Sequence, residues 1–223
     1  AIRRINEATG LTFKEAVDHF EAQGAKDGAV AASGALNTVA TSLMKIADDI
    51  RWLGSGPTSG LSEIRLPAVQ PGSSIMPGKV NPVMPEALMM VSARVMGNHT
   101  TITVAGSRGN LELNVMMPVL TFALLESIHI LSGGCRVFSD NCVAGIQADE
   151  DRCRELLQMN PATATALNPR LGYDLASEVA KEAARDGMSV KDVVLRKGLI
   201  PEDELDEILD VRGMTGGDGD EGP

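Results

Sequence analysis

Gly72-Ser-Ser-Ile-Met-Pro-Gly-Lys-Val-Asn-Pro82 lies inside a stretch, residues 54–85, that holds five glycines and six prolines in 32 positions. No regular helix runs through such a segment, because proline lacks the amide donor and its ring clashes with the preceding turn. A loop this long in a compact chain is either functional or disordered. Ile64, Leu66, Val69, Ile75, Met76 and Val80 give it apolar anchors of its own, which favours order.

Working outward, the flanking pattern is helical on both sides. From Glu21 to Leu53, apolar residues recur in steps of three and four at Leu36, Val39, Ala40, Leu43, Met44, Ala47 and Ile50. Ala31, Ala32, Ser33, Gly34 and Ala35 would let neighbouring helices approach closely, as in a bundle. Pro85 fits a first helical position, and Leu88, Met89, Val91, Val95 and Met96 continue a stripe to about Ala105. A third helical stretch, 113–145, is apolar on more than one face, which predicts burial inside an assembly of copies. Residues 1–20 read as one or two short helices turning near Thr9-Gly10. Beyond Gly145–Asp151 the expected helices are shorter and more polar, at 149–158, 174–186, 189–197 and 201–210, with Ser189 as an N-cap and Pro201 at a first helical position.

These patterns predict an all-α protein. A long-helix bundle spans 1–148, a small helical domain spans 149–212, and an acidic, glycine-rich tail, 213–223, is disordered. Hydrophobic residues make up 43% of the chain and aromatics only 3%, so Ala, Leu, Val and Met carry the packing, a helical bias. Thirty acids against 20 bases give a net charge of −10, the opposite of a nucleic-acid binder. That balance suits a soluble cytoplasmic protein. Cys135, Cys142 and Cys153 show no disulfide or zinc spacing and read as free thiols. No apolar run of about 18 or more residues is seen, so nothing is expected to span a membrane and no membrane partner is expected. The start, Ala-Ile-Arg-Arg without Met, suggests a chain that enters partway through a larger protein.

The loop almost matches a phosphate-binding GxxxxGK[ST] motif, but Val80 stands where the magnesium-holding hydroxyl belongs and Pro77 removes an amide. Carbanion chemistry fits better. Taking a proton from the carbon beside a carboxylate puts charge on that carboxylate, which needs donors aimed at its oxygens. Gly72, Ser73, Ser74 and Gly78 offer backbone N–H groups, Lys79 a positive charge and Asn81 amide donors. A serine stabilised by the same donors could serve as base. Each of these residue types is also an ordinary turn former, and composition alone leaves a connecting loop open.

The stretch 72–82 resembles the signature of the aspartase/fumarase superfamily. His19-Phe-Glu-Ala22, Leu43-Met-Lys-Ile46, Asp49-Ile-Arg-Trp52, Ser55-Gly-Pro57, Glu112-Leu-Asn-Val115, Thr165-Ala-Leu-Asn-Pro169 and Gly172-Tyr-Asp174 extend the likeness to class II fumarases over nearly all of residues 1–210. The resemblance implies that Ser73 is the base that abstracts the Cβ proton. It also implies that Ser74, Lys79, Val80 and Asn81 bind the substrate carboxylates, and that Glu86 pairs with a histidine from another subunit. Malate would lose water to give fumarate through an aci-carboxylate intermediate, with no metal or organic cofactor, in a homotetramer whose sites are each built from three subunits.

The family's Gly-Arg-Thr-His stretch, with the active-site histidine, does not occur in this sequence. His19, His99 and His129 match none of it and read as solvated or core-edge residues. The chain is therefore expected to be inactive alone, or part of a longer parent. Two positions depart from the family pattern, Asp18 and the triplet Gly97-Asn98-His99. Aspartate ammonia-lyase is the nearest alternative within the superfamily, and Glu126-Ser-Ile-His-Ile-Leu131 leans that way. A helical fragment that keeps only the fold is an alternative of a different class.

Overall fold

The structure, a computed structural model, describes residues 1–72 and 74–214, the Arg212 side chain excepted. The protein is all-α, and the chain divides into two compact units, Ala1–Gln147 and Ala148–Pro223.

The first unit is built on three long helices, α3 (Asp27–Leu53), α4 (Val83–Gly106) and α5 (Met117–Asn141), preceded by α1 (Ile2–Thr9) and α2 (His19–Gly24). α4 packs against both α3 and α5. Its buried residues, Pro85, Leu88, Ser92, Val95, Asn98, Ile102 and Ala105, follow one another in steps of three and four. α3 buries Ser33, Ala40 and Ala47, seven residues apart, the spacing of helices packed knobs-into-holes. The result is a stack of core layers. Ala47, Leu88 and Phe138 form one, Ala40, Val95 and Leu131 the next, and Ile102, Ala105, Leu120 and Ala123 the last. Ala40 and Ala47 on α3 make room for the larger side chains of α4, whereas of the small-residue run 31–35 only Ser33 is buried.

Polar groups fix the seam between α4 and α5. Asn98, almost fully buried, donates to the Ala123 carbonyl (3.3 Å), to Glu126 Oε2 (2.7 Å) and to Ser127 Oγ (3.1 Å). Arg94 forks onto the same carboxylate, Nε to Oε2 at 3.0 Å and Nη2 to Oε1 at 3.2 Å. Together Asn98 and Arg94 hold the Glu126 carboxyl below its ordinary pKa, the Asn98 hydrogen bond contributing most.

Several expected boundaries move. The helical run from Glu21 breaks at Ala25 (φ −85°, ψ 149°), because Lys26 Nζ caps the carbonyls of Ala22, Gln23 and Ala25 and ends α2 there. α4 begins two residues before Pro85, which any place in the first turn tolerates since those amides have no helical partner. α5 starts at Met117 rather than 113. Leu113–Asn114 instead pairs antiparallel with Gly109–Asn110. Fully buried Asn114 donates to the Ala105 carbonyl (3.0 Å) and accepts from Met116 N (2.9 Å), so one side chain ends α4 and starts α5. The stretch Met117–Gly145 is long and apolar enough to cross a membrane by length and composition, contrary to expectation, although Glu126, Ser127 and His129 interrupt it. Little of it is buried within the chain, and Phe122, Leu125 and Ile128 are exposed.

The second unit holds α6 (Glu150–Gln158), α7 (Asn168–Leu171), α8 (Tyr173–Asp186), α9 (Val190–Lys197), α10 (Glu202–Ile208) and α11 (Val211–Met214). It has its own core of Leu167, Val179, Val190, Val193, Val194, Ile200 and Leu205 with flanking alanines. Ser189 caps α9, accepting from Asp192 N at 3.0 Å. Pro201 is the N-cap of α10 rather than its first residue, its ψ of 151° lying outside the helical range. A 3-10 helix at Pro161–Leu167 fills what the sequence left unassigned, and it starts where Asn160 caps the Ala162 amide (3.0 Å). Gly213 and Met214, expected in the disordered tail, close α11, with Gly213 N donating to Asp210 Oδ2 (3.3 Å). The rest of that expected tail, 215–223, lies outside the described residues.

Candidate active site

The loop between α3 and α4 is tied shut by its own backbone. Gly72 N–H donates to the Lys79 carbonyl at 2.9 Å, and Asn81 Nδ2 donates to the Gly72 carbonyl at 2.8 Å. Lys79 N–H closes an inner turn on the Met76 carbonyl at 3.3 Å, with Gly78 at φ +77°, a left-handed conformation that glycine takes without strain. Val83 N–H donates to the Asn81 carbonyl at 2.9 Å and leads the chain into α4.

This closure brings Gly72, Lys79 and Asn81 together. Ser74, Lys79 and Val80 are exposed on the loop surface, and Asn81 is half-buried. An open cleft of about 490 Å³ lies beside them, lined by Ala68, Val69, Gln70, Pro71, Gly72, Gly78, Lys79 and Val80. Lys79 is the one charged residue between Leu66 and Pro82. Among the described residues its ammonium has no ion-pair partner, so a cation stands free at the cleft of an acidic chain. Asn81 has a structural task besides any binding role, since one of its amide hydrogens holds the loop. Ser73, the expected base, lies outside the described residues.

Glu86 sits in the first turn of α4, where the helix N-terminus favours a carboxylate. Its Oε1 lies 4.0 Å from Arg51 Nε, and Arg51 Nη1 reaches Asp48 Oδ1 at 3.3 Å. The sequence quotes Arg51 inside Asp49-Ile-Arg-Trp52 but gives it no task, because its partner is far along the chain. Among the described residues, none of the three histidines joins this group by a hydrogen bond or ion pair. His19 pairs with Glu15 (3.2 Å), His99 Nδ1 meets Ser33 Oγ (3.0 Å), and His129 is exposed.

Two family profiles match the chain, one described as lyase over residues 1–97 and one as fumarase C C-terminus over residues 164–216. The chain is 51% identical over 207 residues to fumarate hydratase class II 2 of Bradyrhizobium diazoefficiens, covering 93% of this chain and 44% of that protein. It is 50% identical over 212 residues to fumarate hydratase 1, mitochondrial, of Arabidopsis thaliana, covering 95% and 43%. Its fold is similar to the crystal structure of recombinant class II fumarase from Schistosoma mansoni, with a TM-score of 0.84 and 40% identity, over 90% of this chain and 42% of that one. The chain thus spans less than half the length of the curated relatives it matches. With the signature loop closed on itself between two bundle helices, and with likeness of this degree over nearly the whole chain, the chain belongs to the class II fumarase family of the aspartase/fumarase superfamily.

Proposed function

We infer that this chain forms part of an enzyme that reversibly removes water from malate to give fumarate. The observation that carries the reading is the closed loop, which holds the Lys79 ammonium, without an ion-pair partner among the described residues, and the Asn81 amide beside an open cleft. A dianionic substrate brings its carboxylates to that cation. Ser73 takes the Cβ proton, and the negative charge that develops moves onto the adjoining carboxylate as an aci-carboxylate. Loop amides, Lys79 and Asn81 stabilise that charge where it forms, with Ser74 and Val80 completing the carboxylate contacts. Glu86 orients a histidine supplied by another subunit, and the hydroxyl on the neighbouring carbon takes a proton from that histidine and leaves as water while the aci-carboxylate electrons form the double bond.

The working unit is a homotetramer. Phe122, Leu125 and Ile128 on α5 leave an apolar face that further copies of the chain would cover, and sites shared between copies follow from that packing. Both a bacterial relative and one named for mitochondria are similar to this chain, at 51% and 50% identity, and a soluble compartment, the cytoplasm, is our assignment.

The test uses the protein at its full natural length. Added L-malate should give the ultraviolet absorbance of the fumarate double bond. No signal, or turnover of L-aspartate in its place, would sink the reading. Ser73→Ala should abolish turnover with helix content intact, and retained turnover would remove Ser73 from the role of base.

A further inference from the structure

Arg51 lies in the last turn of α3 and Glu86 in the first turn of α4, so the two residues stand at the two stems of the loop that carries the site. Arg51 Nε faces Glu86 Oε1 at 4.0 Å, an ion pair rather than a hydrogen bond. Arg51 Nη1 is meanwhile anchored by Asp48 Oδ1 at 3.3 Å, one turn back on the same helix. The guanidinium is planar and rigid, so fixing one edge on Asp48 fixes the direction of the other edge. Each charge also sits at the helix end whose dipole favours it, the cation in the last turn of α3 and the anion in the first turn of α4.

Resting on the function proposed above, we propose that Arg51, itself oriented by Asp48, is a positioning residue that aims the Glu86 carboxylate across the mouth of the loop. Glu86 can rotate freely on a surface turn without such a neighbour. With Arg51 in place, its carboxylate is drawn toward the α3 side and presented in one direction to a basic partner. A misplacement of about 1 Å at a reacting centre can cost on the order of a hundredfold in rate. Arg51 therefore acts on turnover through Glu86 and leaves substrate affinity alone, since the carboxylate clamp lies on the loop.

The experiment is a double-mutant cycle on turnover, in the full-length protein. Arg51→Ala should lower kcat on the order of tenfold with KM unchanged, Arg51→Lys should recover part of that loss, and Glu86→Gln should lower kcat further. The combined variant should be no slower than Glu86→Gln alone. Thermal unfolding of the assembled protein should stay close to that of the unaltered protein in each case. Losses that multiply in the double variant overturn the proposal, as does a rise in KM without a fall in kcat, or full activity in Glu86→Gln. Absence of malate turnover in the unaltered protein would instead remove the fumarase activity itself, and the positioning role with it.

Discussion

A methyl group on Gly72 would sit 2.1 Å from the Lys79 carbonyl oxygen, well inside any contact a real side chain makes. That oxygen is the acceptor for the Gly72 amide, so the residue is confined by the same bond that closes the loop. Gly72→Ala must open the ring and release Lys79 and Asn81 from their common setting. Turnover in the full-length protein should fall on the order of a hundredfold, while circular dichroism keeps its helical shape. A variant that turns over normally would show that loop closure is not needed. The glycine and proline content made this segment legible as a loop, and the order of its polar residues carried the resemblance to the superfamily. Arg51 was not legible in the same way. Its pairing with Glu86 spans the whole loop, and no local periodicity or spacing encodes a contact made only when two distant helix ends meet.

Three long periodic segments reached the structure as helices, because steps of three and four between apolar residues have no other reading over such lengths. Their ends were less legible, since they depend on single polar side chains. Lys26 stops α2, and Asn114 both stops α4 and starts α5. The contacts of Asn98 are of the same kind. Its amide satisfies a carbonyl, a carboxylate and a hydroxyl of α5, and an apolar stripe read from sequence gives no hint of it. Asn98→Ala would strip one donor from each of these groups in a closed seam and leave Arg94 as the side chain still donating to Glu126, at a cost of about 1–3 kcal/mol. Calorimetry should record the lower midpoint, and an unchanged midpoint would mean that Arg94 and water replace the amide fully. The membrane-like hydropathy of α5 belongs to this scale too. A helix covered by other copies of itself needs the same apolar faces as one covered by lipid.

Each of the two units owns a core, and the second needs none of the first unit's buried residues for its own. A fragment of residues 149–214 should therefore fold alone, with a cooperative thermal transition. Its surface ties α8 to α9 by charge. Glu182 pairs with Lys197 (2.6 Å) and Arg196, while Asp186 pairs with Arg185 (2.7 Å) and Arg196 (3.3 Å). Hydrogen bonds from Lys197 and then Arg196 hold the Glu182 carboxyl below its ordinary 4.5, and Arg185 does most of the same for Asp186 below 3.8. A depressed acid stabilises the fold above its unfolded pKa, and that contribution drains away as pH drops through the folded value. The fragment's midpoint should hold from neutrality to about pH 5 and decline below 4.5. Glu182→Gln should flatten the decline, and a midpoint independent of pH would deny these pairs any part in stability.

The connection between α3 and α4 has a kinetic meaning as well. Some thirty residues separate those helices, whereas about ten separate α4 from α5, so closing the longer gap costs about 1 kcal/mol more in chain entropy. The hairpin of α4 and α5 is the cheaper nucleus, and α3 docks onto it afterwards. Arg51 and Glu86 meet only at that second step, so the two stems of the loop come together on a scaffold that has already chosen its register.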